Sequence, residues 1–387
     1  MLFRSIAVVV PYNYVLDTLK EAHAKGTRAA IVISAGFSER GTTSGADLQG
    51  EVAKFARESG LRISGPNCLG LANVRDDIWL TSSSRATAGV PGKVGLVCQS
   101  GATLFGPFLA RAMDAGMGLS YMVSTGNEAD LGMLDFIEHF VECDDVEQVL
   151  CYMEGVRDGR RLRRIGARAL ALGKPVIVWK VGNTKRGAGA ALSHTANLAG
   201  DYALYREAFR EGGFVEVGEL YEAVDAVRAF RAKRLPRGRG VAIQTTSGGS
   251  GVLMADRCEP AGLELPAFAP GTAEALRSVL PGFAVVDNPV DVSAGLTRDP
   301  DGYNRVTRML LDDPGVHLAM VRSFPGAGAP QWAEGLARMA AAHDKPVLVS
   351  TGGVSARGDP VQAVRSEEHT SELQSLAYLV CRLLLEK

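Results

Sequence analysis

Features that would place the chain in a specialised class are missing from its 387 residues. Lysine and arginine number 42 against 43 aspartates and glutamates, so no large basic field exists to attract nucleic acid or an anionic membrane. Apolar runs such as 6–10 are far shorter than the ~20 residues that a membrane helix needs. The first residues also lack the pattern of a signal peptide.

Cysteine pairs at metal-binding spacing are missing as well. The six cysteines are scattered, and no two of them form a CxxC motif. Their positions are Cys68, Cys98, Cys143, Cys151, Cys258 and Cys381. This pattern argues against a zinc site or a disulfide framework, and it predicts a cytoplasmic location.

What the sequence does contain is a repeated alternation of strand and helix patterns. Residues 5–64 read as βαβαβ, with short apolar strands and amphipathic helices between them. A second unit follows the loop 82–93, and its last predicted helix is 219–233. A third unit follows the Arg-, Pro- and Gly-rich linker 232–240. We therefore predict a three-unit α/β protein with a parallel-rich sheet in each unit.

Two glycine turns stand where a predicted strand meets a helix: Ser100-Gly101-Ala102 and Ser247-Gly248-Gly249. Free N–H groups and the helix dipole make such turns suitable for phosphate, although ordinary turns also use glycine for close packing. Neither turn is a Walker loop, because no GK[ST] follows. Cys98 stands where a GxSxG nucleophile elbow has its first glycine. A G-x-G-x-x-G turn is absent too, which argues against a nicotinamide dehydrogenase.

His194 ends a glycine-rich loop that begins at Gly182. A neutral imidazole has a free lone pair and can attack phosphorus, although a loop histidine can equally be plain surface. Glu154 ends another predicted strand and could orient the ring. The alternative for Glu154 is a helix cap or a solvated acid.

At these residues the sequence resembles the NDP-forming acyl-CoA synthetase superfamily, which includes ADP-forming acetate–CoA ligase and the succinyl-CoA ligase α chain. The matching stretches keep the family's order over nearly all of 5–364. They are ISAGF (33–37), GPNCLG (65–70), CQSGAT (98–103), STGNEADL (124–131), YMEG (152–155), LSHTANLAG (192–200), TSGGSGVLMAD (246–256) and DNPVDV (287–292).

The resemblance implies an incomplete Rossmann-like CoA-binding domain followed by two flavodoxin-like domains with parallel sheets. The expected limits are 1–85 for the CoA-binding part, 91–232 for the domain with the catalytic histidine, and 240–364 for a truncated second CoA-ligase domain. The family's first CoA-binding glycine turn and its ATP-grasp segment are both missing from the sequence.

The implied reaction interconverts acyl-CoA, ADP and phosphate with acid, CoA and ATP, through an acyl phosphate and a phosphohistidine. His194 would carry the phosphoryl group and Glu154 would hold its ring. The two glycine turns, 100–102 and 247–249, would bind phosphate and would converge in space, with Glu154 on the same rim. The expected CoA-binding residues are Ser34, Gly36, Phe37, Asn67 and Cys68.

The expected partners are a small carboxylic acid, CoA, phosphate and an ATP-grasp domain or subunit that binds ATP or ADP with Mg²⁺. We expect an oligomer in the intact enzyme, and no nucleic acid, membrane or resident metal on this chain. Without the ATP-grasp domain, the chain alone is expected to be inactive in the full reaction. The alternative function is a non-catalytic CoA-binding or regulatory module, as in relatives fused to acetyltransferases.

The last 23 residues, 365–387, resemble the in-frame translation of a short-read sequencing adapter. We therefore expect a non-native tail, with the natural sequence stopping near Val364, and give its apolar pattern no functional weight.

Overall fold

The computed structural model describes residues 4–84, 89–189, 201–231, 234–323 and 329–351. The chain divides into two compact units, Met1–Ala223 and Val224–Lys387, and the division falls within a helix. The described residues hold three sheets, two of them in the first unit. His194 and the tail 365–387 lie outside the described residues.

The first sheet is parallel, in the order β1-β2-β3. Its strands are β1 (Ser5–Val8), β2 (Ala29–Val32) and β3 (Arg62–Ser64), and its helices are α1 (Tyr12–Ala24) and α2 (Thr43–Ser59). The sequence pattern predicts α2 only from residue 48. The helix begins earlier because the Thr42 side chain accepts a hydrogen bond from the Gly45 N–H and caps it.

The second sheet has seven strands in the order β10-β9-β8-β6-β7-β4-β5. Strands β6 to β10 are parallel to one another, which confirms the predicted α/β class. Their bounds are β6 (Val90–Cys98), β7 (Gly118–Ser124), β8 (Gln148–Met153), β9 (Val176–Lys180) and β10 (Val215–Val217).

An antiparallel hairpin, which the sequence analysis did not predict, extends this sheet. Strands β4 (Gly70–Asn73) and β5 (Ile78–Thr81) pair with each other, and β4 pairs with β7. The turn between them is closed by side chains, since Asn73 donates to Asp76 at 2.8 Å. The hairpin precedes the expected domain limit at 85, yet it hydrogen-bonds to the second sheet. That limit stays a prediction.

Helices pack against this second sheet, and several of them begin at side-chain caps. They are α3, a helical segment over 101–114, α4 (Met133–Glu142), α5 (Gly159–Ala171), α6 (Tyr202–Gly212) and α7 (Leu220–Arg231). Within α3 the stretch Leu104–Phe108 is a π-helix that contains Pro107. Proline cannot donate to the helical ladder, and this accounts for the local widening. Asp158 and Asp201 cap α5 and α6 with their carboxylates.

The second compact unit holds a four-stranded parallel sheet in the order β12-β11-β13-β14. Its strands are β11 (Val241–Thr245), β12 (Val290–Asp291), β13 (Leu318–Ser323) and β14 (Val347–Thr351). Its helices are α8 (Gly248–Cys258), α9 (Pro270–Val279), α10 (Pro300–Asp312) and α11 (Ala329–Ala342). Apolar side chains cover both faces of β11, as a buried parallel strand requires.

Two leucines of α5 provide a matched test of the core of the second sheet. Leu162 is fully buried, whereas Leu170 is 57% exposed on the same helix. We expect Leu162→Ala to lower the free energy of unfolding by about 2–5 kcal/mol, through lost burial and a cavity. Leu170→Ala should change it by no more than about 0.5 kcal/mol. Urea unfolding of both variants measures the difference, and equal losses would contradict the packing described.

Candidate active site

The loops that follow β6, β7, β8 and β9 meet at the carboxyl edge of the second sheet. Main-chain hydrogen bonds align them: the Gln99 N–H donates to Tyr152 at 3.2 Å, and the Thr125 N–H donates to Cys98 at 2.9 Å. The Val181 N–H donates to the Met153 carbonyl in the same way. In open α/β sheets ligands bind beyond this edge, so these four loops form the candidate site.

The first glycine turn begins helix α3 at this edge. The Ser100 side chain is 8% exposed, and its Oγ accepts a hydrogen bond from the Thr103 hydroxyl at 3.0 Å. An added Cβ on Gly101 would lie 2.7 Å from Leu69 and 2.8 Å from the Ser124 hydroxyl. Close packing therefore accounts for Gly101, while Ala102 beside it is exposed.

In the second glycine turn, which lies in the other compact unit, close packing does not account for Gly249 as it does for Gly101. Gly248 and Gly249 are exposed at the start of α8, and a Cβ on Gly249 would meet nothing within 4 Å. Neither packing nor a positive φ requires glycine at 249, which suits a backbone that a ligand approaches closely. A carboxylate oxygen of Asp291 lies beside Gly248, 3.2 Å from where its Cβ would stand.

Glu154 lies at the carboxyl edge of the second sheet and is buried, with 4% of its surface exposed. The solvated-acid interpretation is therefore wrong. Nor is Glu154 the helix cap, because Asp158 caps the helix that follows. The Gln99 side chain accepts hydrogen bonds from the N–H groups of Glu154 (2.5 Å) and Gly155 (3.0 Å). Since Gln99 directly precedes Ser100, it ties the Glu154 turn to the first glycine turn.

Two further charged residues at this edge escaped the sequence analysis. Glu128 accepts hydrogen bonds on Oε1 from Gln99 (3.0 Å), Thr125 (2.9 Å) and the Met133 N–H (3.0 Å). Burial raises the pKa of Glu128, although these donors oppose the rise. Lys180 is the second and is 2% exposed. Glu128 falls inside STGNEADL (124–131), one of the stretches that match the family, so the sequence offered a signal for it. Nothing in the composition of β9 marks Lys180 as buried.

The expected CoA-binding residues lie together in the loops that follow β2 and β3. The Asn67 N–H donates to the Ser34 carbonyl at 3.0 Å, and the Ser34 hydroxyl donates to Val10 at 2.5 Å. Gly36 has a φ of +121°, a conformation that favours glycine. Phe37 is fully buried among apolar side chains, so its side chain packs in the core of the first sheet.

Cys68 is also turned inward, with 2% of its surface exposed. Its thiol donates to the Val32 carbonyl at 3.4 Å. Burial raises the pKa of this thiol to about 11, so it is protonated at neutral pH and a poor nucleophile.

An acid that the sequence analysis missed occupies the N–H groups of this CoA-side loop. The Glu39 carboxylate accepts hydrogen bonds from Gly36 (2.5 Å) and Phe37 (3.1 Å). It also accepts one from the Asn127 side chain at 2.5 Å. Burial opposes the change, but these hydrogen bonds outweigh it and lower the pKa of Glu39. The loop after β2 is thus held by a fixed negative charge.

Asn127 connects this loop to the carboxyl edge of the second sheet. It is fully buried and accepts a hydrogen bond from Asn67 at 3.1 Å, while its amide donates to Glu39 and Gln49. Its neighbour Gly126 has a φ of +60°, and a Cβ there would lie 2.3 Å from the Pro66 carbonyl. The loop 125–128 therefore contacts the CoA-side residues and, through Glu128, the Gln99 side chain.

His194 lies outside the described residues, and so does the stretch 190–200 around it. The chain leaves the sheet at Val181, after β9, and is described as far as Gly189. The description resumes at Asp201, the cap of α6. Within the described part of the chain, no group of three metal-binding side chains is found. No helix there has the length and apolar character to cross a membrane. Whether the two glycine turns converge stays a prediction.

Three protein-family models match the chain in succession. A CoA binding domain matches residues 3–74, a succinyl-CoA ligase-like flavodoxin domain matches 91–230, and a ligase-CoA domain matches 241–361. The first range lies in the first compact unit, the second lies there up to Ala223, and the third lies in the second unit.

Curated relatives and a solved structure align with most of the chain. The α subunit of ADP-forming acetate–CoA ligase II from Pyrococcus furiosus is 37% identical, over 88% of this chain and 74% of its own length. ADP-forming acetate–CoA ligase I from Archaeoglobus fulgidus is 36% identical over 83% of this chain, which spans only 45% of that protein. A solved structure of the dinucleotide-forming acetyl-coenzyme A synthetase 1 from Ca. Korarchaeum cryptofilum, in complex with phosphate and ADP, matches with a TM-score of 0.87 and 26% identity. That match covers 100% of this chain and 83% of the solved chain.

Gly126→Ala tests whether the 125–128 loop needs its tight contact with the loop at Pro66. A side chain in the left-handed region costs about 1–2 kcal/mol, and the clash with the Pro66 carbonyl adds to it. We expect a lower free energy of unfolding by urea. The matched control is Gly50→Ala in helix α2, where a Cβ meets nothing and should stabilise by about 0.5–1 kcal/mol. If both variants changed stability alike, the contact would not constrain the loop.

Proposed function

Because the chain belongs to the NDP-forming acyl-CoA synthetase superfamily, we propose that it is the CoA- and phosphate-handling part of an ADP-forming acid–CoA ligase. Relatives with that activity in their names align with most of the chain. The regulatory-module alternative gains no support from these relatives. The observation that carries the proposal is the Gln99 bridge, which ties the buried Glu154 to the Ser100 turn.

The proposed chemistry has two steps on this chain. A phosphate oxygen attacks the acyl carbonyl carbon, the carbon–sulfur bond breaks, and CoA leaves with a proton as the free thiol. A ring nitrogen of His194 then attacks phosphorus, the phosphorus–oxygen bond of the acyl phosphate breaks, and the acid leaves as its carboxylate. The phosphoryl group would pass from His194 to ADP elsewhere in the intact enzyme.

The residues of the two glycine turns would hold phosphate during these steps. The first N–H groups of a helix have no partner in the helix, so Ser100–Ala102 and Ser247–Gly249 offer donors at helix starts. Such fixed donors need no reorganisation when charge develops on the transferred group. Glu154 would accept a hydrogen bond from one nitrogen of His194, leaving the other free to attack.

CoA would bind at the loops after β2 and β3. Ser34, Gly36 and Asn67 have partly exposed surfaces there, whereas the side chains of Phe37 and Cys68 are buried. Phe37 and Cys68 would therefore contribute main-chain atoms to the site. The proposed substrate acid is a small carboxylic acid.

The remaining partners follow from the same proposal. An ATP-grasp domain or subunit would supply the site for ATP or ADP with Mg²⁺, within an oligomer. A cytoplasmic location fits the five described cysteines, all of which are free thiols. Nucleic acid and membrane play no part in the proposed reaction.

The first experiment uses acetyl-CoA and ³²P-labelled inorganic phosphate, without nucleotide. We expect the chain to acquire a label that is stable in base and lost in acid, as a phosphohistidine is. His194→Ala should reduce the label to background, because the nucleophile is removed. Glu154→Gln should slow labelling, since the amide is a weaker partner for the imidazole.

The control is His139→Ala, which removes an exposed histidine of α4. It should keep the full label. A wild-type chain that stays unlabelled, or a His194→Ala variant that keeps its label, would refute the assignment.

A further inference from the structure

Lys180 is a buried cation that the proposed chemistry does not use. It ends strand β9, and its ammonium donates hydrogen bonds to the main-chain carbonyls of Glu154 (2.9 Å) and Val181 (2.5 Å). The same ammonium lies 4.6 Å from the centre of the Tyr205 ring, a cation–π contact. One side chain thus joins the Glu154 turn, the residue after β9 and helix α6.

The contacts of Lys180 lie on either side of His194 along the chain. Val181 is the first residue beyond β9 on the way to His194, and Tyr205 is in the helix that follows His194. The Tyr205 hydroxyl also accepts a hydrogen bond from the Val156 N–H at 2.8 Å. Both ends of the segment that carries His194 are therefore attached to the turn that carries Glu154.

Packing alone does not require a charge at this position. A methionine has a similar length and would avoid the cost of removing an ammonium from water. Among the described residues, three titratable groups face Lys180: Glu154 after β8, Glu216 in β10 and Tyr205 in α6. Tyr202 of α6 donates to Glu216 at 2.5 Å, so this acid is itself held in place.

We propose that Lys180 is a positioning residue whose protonated ammonium fixes the Glu154 turn against both ends of the His194 segment. The turn that carries Glu154 is then held in one position at the carboxyl edge of the sheet. The inference rests on the proposed function, because it concerns the transfer of a phosphoryl group to His194.

The charge on Lys180 makes this arrangement sensitive to pH. Burial lowers the pKa of Lys180 to about 8, although attraction to Glu154 and Glu216 opposes the change. As the pH rises through this value the folded protein loses the ammonium. A neutral amine is a weaker donor to two carbonyls, so positioning weakens on the alkaline side.

The test uses ³²P-labelled acetyl phosphate, which needs neither CoA nor nucleotide to phosphorylate His194. Lys180→Met should lower the rate of labelling at pH 7 by about 10- to 100-fold, the size expected for lost hydrogen bonds from a charged group. The acetyl phosphate concentration at half-maximal rate should stay within about 3-fold, because Lys180 does not contact the ligand.

The Lys180→Arg variant tests the charge through the pH dependence of the labelling rate, which would not change if Lys180 had only a structural role. The guanidinium of arginine stays charged at every pH used. This variant should therefore be labelled at close to the wild-type rate. It should not show the fall in rate that we expect of the wild type above a pH of about 8. Lys174→Met is the matched control. Lys174 precedes β9 and also donates to a carbonyl, that of Cys143 at 2.7 Å, far along the strand from the site. It should label at the wild-type rate.

The outcomes separate the two proposals. A wild-type chain that acetyl phosphate never labels overturns the proposed function and this inference with it. A labelled wild type with Lys180→Met equal to Lys174→Met overturns the inference alone. If Lys180→Met fails to fold, as judged by circular dichroism, the pH profile of Lys180→Arg decides. An unchanged alkaline fall in that variant overturns the role of the charge.

Discussion

The arrangement of the candidate site depends on the hydrogen bonds of the Gln99 side-chain amide. It is 1% exposed, and it accepts from the N–H groups of Glu154 and Gly155 while donating to Glu128 and to the Gly155 carbonyl. A residue that immediately follows β6 thereby fixes the ends of two neighbouring strands. Buried amides are costly unless every donor and acceptor is used, and here the protein uses them all.

Parallel pairing makes this bridge possible, and the 125–128 loop extends it. Strands β7 and β8 flank β6 on either side, so their following loops are within reach of one side chain. The left-handed backbone at Gly126 and Glu128 turns the loop so that Asn127 faces Glu39 while Glu128 faces Gln99. The CoA-side loops and the Glu154 turn consequently share one continuous set of hydrogen bonds within the first unit.

The sequence predicted the order of strands and helices well, because buried parallel strands are short β-branched runs between amphipathic helices. It missed the β4–β5 hairpin, whose turn depends on Asn73 and Asp76 and whose place in the sheet depends on pairing with the distant strand β7. Local patterns also located Glu154 and the glycine turns. They could not show that Glu154 and Lys180 are buried, or that Glu39 and Glu128 are half-buried, because burial of a charge depends on contacts between distant parts of the chain.

Lys180 and Glu154 illustrate why a rigid frame suits a histidine in a glycine-rich loop. In the proposed reaction His194 would act in two steps and would need freedom along its own segment, whereas Glu154, its proposed hydrogen-bond partner, would have to stay in place. The structure divides these demands. Glu154 belongs to a buried turn held by Gln99 and Lys180, and the ends of the His194 segment are attached to the same turn through Lys180 and Tyr205. The printed contacts of Gln99 and Lys180 with this turn come from residues that precede Gly182, so the proposed reaction at His194 would not have to break them.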